Sequence, residues 1–219
     1  MTETATPVVA LQSASRSYRT AAVTVAALTD VSMEISSGEL VGVAGPSGSG
    51  KTTLLNLVVG WDQPDSGVVS RNLGPGRGWT AMAVVPQELG LISELTAAQN
   101  VSLTRRLAGR DRTAPAELFA RLGLIGLEGR LPDEMSVGEQ QRTAVARALT
   151  CSPALLVADE PTAHQDEYHA DQVMALLAER ASNGGAVLVA THDDRMLARV
   201  DRVLHLLDGR LVASDSRSG

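Results

Sequence analysis

Four short apolar stretches predict the strands of a sheet that is covered on both of its faces. They are residues 40–44, 81–85, 154–158 and 186–190. Each stretch is short and almost free of polar residues, which is typical of a strand buried on both sides. Helical patterns separate these stretches along the chain. This alternation predicts a parallel sheet in an α/β fold.

Longer stretches with helical character lie between the strands. Helices are predicted at residues 51–59, 115–122, 136–149 and 168–181. Pro115 suits the first turn of its helix, and Asn183-Gly184-Gly185 would end the last one. Because the pattern from 94 to 149 is mainly helical, we expect an inserted helical unit at about 91–148.

Turn residues predict two hairpins. Residues 31–35 alternate between apolar and polar, and Ser36-Ser37-Gly38 then leads to the strand at 40–44, so a hairpin is expected there. Residues 203–207 and 211–213 flank Asp208-Gly209, a dipeptide that favours a tight hairpin turn. A further turn is predicted at 64–67.

Composition and charge exclude several classes of function. The 219 residues are enough for one large α/β domain or two small ones, and because they are 44% apolar but only 2% aromatic, we expect a substantial aliphatic core. The net charge of −6 argues against a nucleic-acid partner, because such proteins need a basic face to replace phosphate counterions. It also argues against binding to an anionic membrane surface by charge.

Cysteine use and hydropathy bear on location. Cys151 is the only cysteine, so no intramolecular disulfide can form, and residues 1–10 have no basic region ahead of an apolar stretch. No apolar run approaches the roughly 20 residues that cross a bilayer. We therefore expect a cytoplasmic protein that reaches a membrane only through a partner.

A glycine-rich loop between the strand at 40–44 and the helix at 51–59 predicts phosphate binding. It fits G-x-x-x-x-G-K-[ST] and consists of Gly45, Pro46, Ser47, Gly48, Ser49, Gly50, Lys51 and Thr52. Glycines let backbone N–H groups face the phosphates, Lys51 would reach the β- and γ-phosphates, and the Thr52 hydroxyl would bind Mg²⁺. Lys51 is also the only lysine of the chain. The alternative is an ordinary glycine turn.

Polar residues follow three of the predicted strands. Asp159 and Glu160 follow 154–158, His192 comes soon after 186–190, and Gln87 follows 81–85. Beside a phosphate loop, Asp159 can hold Mg²⁺ and Glu160 can act as a general base on water. His192 could contact the γ-phosphate, and Gln87 the metal or the water. Each residue alone also fits a structural role, as a strand-capping carboxylate or a satisfied loop side chain.

A capping box opens the helix at 136–149. Ser136 and Glu139 have the S-x-x-E spacing, which satisfies free N–H groups at a helix start. Such a start is also a favourable site for an anion. Simple helix capping remains the alternative interpretation.

Together these motifs resemble the ATP-binding cassettes of the transporter superfamily. The correspondence covers the Walker A loop at 45–52, Gln87, the signature at 135–139, Asp159-Glu160, Asp166 and His192, in family order. The resemblance implies a RecA-like P-loop NTPase core with a parallel sheet, an N-terminal antiparallel β subdomain and an inserted α-helical subdomain. The resemblance also implies that residues 1–219 form a single domain, in which about 1–90 and 149–219 make up the β subdomain and the core.

The resemblance also implies ligands and partners. It implies ATP and Mg²⁺ as cofactors, with Tyr18 stacking on adenine and Thr53 joining the phosphate loop. Ser136, Gly138 and Asp166 would complete the site of a second cassette in a dimer. A separate transmembrane permease would be the other partner, which places the chain on the inner face of the membrane.

Residues 62–67, 94–96 and 158–162 resemble the branch that serves lipoprotein-release, macrolide-export and cell-division permeases. Two alternatives stay open. One is a soluble cassette that acts on nucleic acid or the ribosome. The other is a cell-division-type cassette that signals without a transported substrate.

Three departures from the family pattern concern the signature and the loop before Asp166. Val137 replaces a glycine, Glu139 replaces a glutamine, and Gln165 stands where the family usually has leucine. If Val137 is the first helical residue, its φ is negative and it costs only tenths of a kcal/mol, which is the expected case. Glu139 is expected to weaken ATP affinity in the dimer. Gln165 leaves communication between the two sites uncertain.

The stretch after Gln87 has the composition of a docking loop. Leu89, Leu91, Ile92 and Leu95 supply apolar residues there. They could receive a short helix of the permease. Equally, they could pack the helical insertion onto the core.

Overall fold

The fold is described from a computed structural model that covers residues 6–19, 23–74, 78–110, 113 and 115–216. The predicted absence of a leader falls partly on residues 1–5, which lie outside the described residues. The strands are β1 (Val9–Arg19), β2 (Thr24–Ile35), β3 (Leu40–Ala44), β4 (Ser66–Arg71), β5 (Met82–Val85), β6 (Leu155–Asp159), β7 (Ala186–Ala190), β8 (Arg202–Leu207) and β9 (Arg210–Ser216). The α-helices are α1 (Lys51–Val59), α2 (Ala97–Leu107), α3 (Ala116–Arg121), α4 (Val137–Leu149), α5 (Glu167–Ser182) and α6 (Asp194–Leu197).

The larger sheet has six strands in the order β5-β6-β7-β3-β8-β9. Its first five strands are mutually parallel, and β9 pairs antiparallel with β8. All residues of β3, β6 and β7 are buried, as the apolar stretches predicted. The strand predicted at 81–85 begins one residue later, because Ala81 ends a 3-10 helix (Gly78–Ala81).

The N-terminal hairpin prediction is wrong, whereas the C-terminal one is confirmed. β2 pairs with β1, and β3 pairs with β7 and β8, so the two strands belong to different sheets. Toward its end, β2 alternates between buried and exposed residues, whereas all residues of β3 are buried. The two strands therefore suit different sheets. At the C-terminal hairpin, Asp208 and Gly209 both have positive φ, of 47° and 74°, as a tight hairpin turn requires.

A smaller antiparallel sheet has the order β2-β1-β4. Its strands β1 and β4 were not predicted from the sequence, because serine and arginine interrupt their apolar positions. The predicted turn at 64–67 leads into β4, and Gly67 has φ 84°. A Cβ atom on Gly67 would lie 2.3 Å from the Ser13 carbonyl oxygen, so this position requires glycine.

Two apolar cores lie on opposite sides of the larger sheet. One contains α1 and the smaller sheet, and the other contains α2, α3, α4 and α5. The helical region after residue 94 therefore covers one sheet face, where Phe119 is fully buried. This arrangement places the loops that follow β3, β5, β6 and β7 at one edge of the sheet.

Within the described part of the chain, no helix is both long and apolar enough to span a bilayer.

Candidate nucleotide-binding site

The glycine-rich loop joins β3 to α1 in a conformation that larger residues cannot adopt. Gly50 caps α1 with φ 105°, and a Cβ atom there would lie 2.4 Å from the Ala27 carbonyl oxygen. A Cβ atom on Gly45 would lie 2.2 Å from the Leu206 carbonyl oxygen. Both glycines are therefore needed for the loop to lie against its neighbours. The loop also leads into the N-terminus of α1, where free N–H groups favour an anion.

Lys51 folds back over this loop. Its Nζ donates to the carbonyl oxygens of Gly45 at 2.6 Å and Pro46 at 3.2 Å. The ammonium group is thereby held at the loop by neutral acceptors. An arriving phosphate is a stronger partner for it, because a hydrogen bond between two charged groups is stronger than one to a neutral carbonyl.

Thr52 and Asp159 form the oxygen-donor pair of the site. Thr52 Oγ1 donates to Asp159 Oδ2 at 3.2 Å, which joins the start of α1 to the end of β6. Asp159 is only 7% exposed, and this burial, with the nearby Glu160 carboxylate, raises the pKa of its carboxyl although the Thr52 hydrogen bond opposes the shift. A divalent cation would relieve that unfavourable burial.

The donor set fits Mg²⁺ in particular. A hydroxyl and a carboxylate are hard oxygen ligands, and Mg²⁺ is typically held by one or two carboxylates together with substrate phosphates. Among the described residues no group of three or more His, Cys, Asp or Glu side chains could hold a metal. A metal at this position would therefore rely on Thr52, Asp159 and phosphate oxygens.

Glu160 is held by residues at the end of β7. Its carboxylate accepts from Thr191 Oγ1 at 3.0 Å and lies 2.7 Å from His192 Nδ1. The hydrogen bond and charge of Glu160 raise the pKa of His192, although the imidazole is 79% exposed. Glu160 has φ 49°, an unusual value for a non-glycine residue and one often found at functional sites. The carboxylate is thus oriented beside Asp159 rather than free in solvent.

These groups line one cleft of about 410 Å³. Of the site residues predicted from the sequence, the cleft brings together Tyr18, Ser47, Gly48, Gly50, Lys51, Thr52, Thr53, Gln87, Asp159 and Glu160. His192 reaches this group through Glu160. Gly45, Pro46 and Ser49 belong to the loop but do not line the cleft.

Tyr18 is fixed by a polar cluster that sequence reasoning missed. Its hydroxyl donates to Asp62 Oδ2 at 2.8 Å, and the Arg16 guanidinium lies 5.0 Å from the ring centroid. Arg16 also pairs with Asp62 and Asp65, at 2.9 Å and 2.7 Å. The only sequence signal was the aspartates at 62 and 65, which stood out as a branch motif without an assigned contact. The cluster orients an aromatic ring at the edge of the cleft.

The signature residues lie away from this cleft. Ser136, Gly138 and Asp166 are absent from its lining. Ser136 Oγ accepts from Glu139 N at 3.3 Å, while Ser136 N donates to Glu139 Oε2 at 2.8 Å, so the predicted capping box is confirmed. Asp166 caps α5 by accepting from His169 N at 2.9 Å, and its other oxygen lies 2.8 Å from His169 Nδ1.

Val137 is the first residue of α4 and does not have a positive φ. The prediction that this substitution fits the helix is therefore confirmed. Its side chain is 52% exposed, so it neither fills the core nor blocks the helix start.

Helix α4 contacts two of the loops around the cleft. Gln141 Nε2 donates to the Glu160 carbonyl oxygen at 2.5 Å. Arg147 donates to the carbonyl oxygens of Leu89 and Gly90, at 2.9 Å and 2.7 Å. Sequence reasoning missed both residues, because long-range contacts to backbone oxygens leave no local pattern.

The stretch after Gln87 divides into packed and exposed residues. Leu89 and Leu91 are partly buried and pack against the core, which favours the packing alternative for them. Ile92 is 39% exposed. Beside this stretch, Trp61 is 63% exposed at a second groove of about 260 Å³. This groove adjoins the nucleotide cleft, with which it shares three lining residues, and its other lining residues include apolar side chains: Thr52, Gln87 and Asp159 are shared, and Leu55, Val59 and Val84 are apolar.

Comparison with known proteins agrees with the fold and with the family resemblance. Residues 28–163 match the family described as ABC transporter. The ATP-binding cassette MJ0796, solved as a dimer in a post-hydrolysis state with ADP and Pi, superposes with a TM-score of 0.87 at 30% identity. That alignment covers 96% of this chain and 99% of the other.

Two groups of bacterial relatives are similar over nearly the whole chain. The lipoprotein-releasing system ATP-binding protein LolD of Shewanella oneidensis is 38% identical, over 94% of this chain and 96% of its own length. The macrolide export ATP-binding/permease protein MacB 1/2 of Paracoccus denitrificans is 37% identical over 100% of this chain. The chain spans only 35% of that relative's length. From the family match and these similarities, the chain belongs to the ABC transporter family, as one of its ATP-binding cassettes.

Proposed function

We propose that the chain binds Mg-ATP and hydrolyses it to ADP and phosphate. The observation that carries this proposal is the continuous set of contacts from Thr52 to Asp159 and from Glu160 to His192, beside the glycine-rich loop. These contacts bring Lys51, Thr52, Asp159 and Glu160 to one cleft, where they would serve as phosphate cradle, metal-binding pair and base. That is the set of groups that phosphoryl transfer to water requires.

Each residue has a distinct role in this proposal. The loop N–H groups and Lys51 hold the β- and γ-phosphates, while Thr52 and Asp159 hold Mg²⁺, with Gln87 close to the same position. The metal, when bound, neutralises charge on the phosphate oxygens. Glu160 accepts a proton from the attacking water, and His192, bonded to Glu160, orients that carboxylate and contacts the γ-phosphate.

A second cassette completes the site in this proposal. Ser136, Gly138 and Asp166 stay outside the cleft of their own chain, although the signature helix starts with free N–H groups suited to an anion. One chain supplies one phosphate loop and one signature. Two chains, identical or not, would pair each loop with the partner's signature, and the similar cassette MJ0796 has been solved as a dimer.

The hydrolysis cycle would drive a transmembrane permease of the lipoprotein-release or export type. The names of the relatives LolD and MacB support this assignment. The chain would then act at the cytoplasmic face of the membrane as one domain, with 91–148 as its helical subdomain. The groove at Trp61 and Gln87 is the surface we assign to the permease. A net charge of −6 is unfavourable for the alternative nucleic-acid partner.

Purified protein tests the enzymatic proposal. We expect Mg-dependent phosphate release from ATP, and we expect Lys51→Ala to lose nucleotide affinity because phosphate charge is left uncompensated. The control is Arg130→Ala, which removes an exposed cation elsewhere. ATP binding by Lys51→Ala equal to that of the parent would refute the assignment of the loop.

Trp61 tests the permease surface better than Leu89 or Leu91, because charging those packed leucines would disturb the core. Trp61→Glu should reduce co-purification of an integral membrane protein from host membranes while leaving ATP binding intact. The matched control is Trp79→Glu, because Trp79 is also an exposed tryptophan, at 55%. Trp79 comes before the N-terminal end of β5, whereas Gln87 follows the C-terminal end of that strand. Recovery of ribosomes or DNA in place of a membrane protein would contradict the transporter assignment.

A further inference from the structure

Gln165 is one of the positions at which this chain departs from its family, and its side chain makes two contacts that leucine could not make. Gln165 Nε2 donates to the Gly138 carbonyl oxygen at 2.9 Å. Gln165 Oε1 accepts from Arg142 Nη1 at 2.6 Å. Both partners lie in the first turns of α4, directly after the capping residue Ser136. One amide therefore holds the signature end of this helix through its donor and its acceptor together.

The packing around these contacts is tight. A Cβ atom on Gly138 would lie 3.0 Å from the His164 carbonyl oxygen, so the loop backbone touches the helix there. Arg142 is 7% exposed, and burial lowers the pKa of its guanidinium, although Glu139 and Asp166 oppose the shift. Its Nε has no hydrogen-bond partner among the described residues. Gln165 thus supplies a needed acceptor to a poorly solvated cation.

The loop that carries Gln165 begins at Glu160, and α4 holds this end as well. Gln141 donates to the Glu160 carbonyl oxygen at 2.5 Å. Inside the loop, Ala163 N donates to the Glu160 carbonyl oxygen at 3.1 Å, and Gln165 N donates to the Thr162 carbonyl oxygen at 3.3 Å. The loop is therefore a pair of tight turns attached to one helix at both ends. A shift of the signature end of α4 would move Glu160 with it.

We infer that Gln165 is a positioning residue, which fixes the Ser136–Gly138 turn against the loop that starts at the catalytic Glu160. Gln165 does not line the nucleotide-binding cleft of its own chain. Its amide keeps the signature turn in the orientation that binds the triphosphate held by a second cassette, and it links that contact to the base. This inference rests on the proposed function, because it concerns how the ATP-bound dimer forms.

The test measures ATP-driven dimerisation in a Glu160→Gln background, where slow hydrolysis preserves the ATP-bound state. Gln165→Leu should weaken dimerisation by about tenfold, equivalent to about 1.4 kcal/mol. ATP affinity of the monomer should stay within about twofold, because the phosphate loop is not altered. Sedimentation at several protein concentrations with Mg-ATP gives the first quantity, and nucleotide titration of the dilute protein gives the second.

Gln165→Glu separates positioning from general stability. A carboxylate still accepts from Arg142, so the melting temperature should equal or exceed that of the Glu160→Gln parent. It cannot donate to the Gly138 carbonyl oxygen, so dimerisation should remain weak. Gln12→Leu, at an exposed position on β1, is the control for removing an amide and should change neither quantity.

The outcomes distinguish this inference from the proposed function. If Gln165→Glu dimerises as well as the parent, the contact with Gly138 has no positioning role and the inference fails. The same holds if Gln165→Leu dimerises normally. If the Glu160→Gln parent itself binds ATP but forms no dimer, then the proposed two-cassette site fails, whatever Gln165 does.

Discussion

The phosphate-loop side and the signature side of the cassette differ in how they are held. On the first side, the main side chains follow strands of one parallel sheet, and contacts such as Thr52 to Asp159 join them directly. On the second side, Ser136 and Gly138 begin a single helix, held by the Glu139 capping box and by Gln165. The first side is thus joined to several strands of the sheet, whereas the start of the signature helix is held by a few side-chain contacts and only the rest of α4 packs into the core.

This difference explains where the chain departs from its family. The sheet-built side keeps every motif residue, and several of its positions, such as Gly45, Gly50 and Asp159, are constrained by burial or by a close backbone approach. The helix-built side carries Val137, Glu139 and Gln165, all at positions where the structure offers space or an alternative hydrogen bond. Predictions can therefore test whether the first side determines ATP chemistry and the second adjusts dimer formation.

The largest effect is expected from Glu160→Gln on the sheet-built side. Removing the base should lower turnover by about 10²-fold or more while ATP binding persists, because the phosphate and metal contacts remain. Phosphate release and equilibrium nucleotide binding measure the two effects. Glu128→Gln, an exposed substitution far from the cleft in sequence, serves as the control. Normal turnover in Glu160→Gln would remove Glu160 from the role of base.

Smaller effects on turnover are expected from substitutions of the signature residues Ser136 and Val137. Ser136→Ala should lower turnover by roughly tenfold, because it removes both the proposed phosphate contact and the cap, which alone stabilises a helix by about 1 kcal/mol. Val137→Gly should change turnover by less than about twofold, since Val137 already has helical geometry. Steady-state ATPase assays of both variants decide the point. A rise of about tenfold in Val137→Gly would instead identify Val137 as a defect.

The third effect concerns stability rather than turnover. Burial raises the pKa of Asp159, which means that the ionised carboxylate is less favourable in the folded protein than in water. Asp159→Asn should therefore raise the melting temperature of the nucleotide-free protein by a few degrees while abolishing Mg-dependent hydrolysis. Calorimetry without metal checks this, with Asp133→Asn, an exposed aspartate, as the control. A lower melting temperature in Asp159→Asn would contradict the argument.

The smallest effect is the pH dependence of the pair formed by His192 and Glu160. Because the folded pKa of His192 is raised above 6.5, the pair contributes stability below that pH and loses it as pH rises through the folded pKa. The imidazole is 79% exposed, so solvent screening limits the contribution to a few tenths of a kcal/mol. The parent should melt about 1 °C above His192→Gln at about pH 5.5, with no difference at about pH 9. If the melting temperatures of the two proteins differ more at the alkaline pH than at the acidic pH, the assigned direction of the pH dependence is wrong.

The phosphate loop, the positions of the buried strands along the chain and the capping box were all predictable from sequence. Each depends on local chemistry, since a left-handed backbone needs glycine, a strand covered on both faces needs apolar residues, and a helix start needs Ser136 with Glu139. The first hairpin was predicted wrongly because the pairing of strands is not decided by local chemistry. Whether β2 pairs with β3 or with β1 depends on which sheet covers α1, and a local turn does not encode that choice.

The contacts that join distant segments required the tertiary structure. Arg16 reaches Asp62, Gln141 reaches the Glu160 carbonyl, and Gln165 reaches Gly138, across separations that no sequence periodicity reveals. Sequence alone identified the groups that we propose to bind ATP, because those groups must have particular backbone and side-chain chemistry. Only the tertiary structure determined how the signature helix is held against the base, because hydrogen bonds to backbone oxygens depend on packing and many residue types can make them.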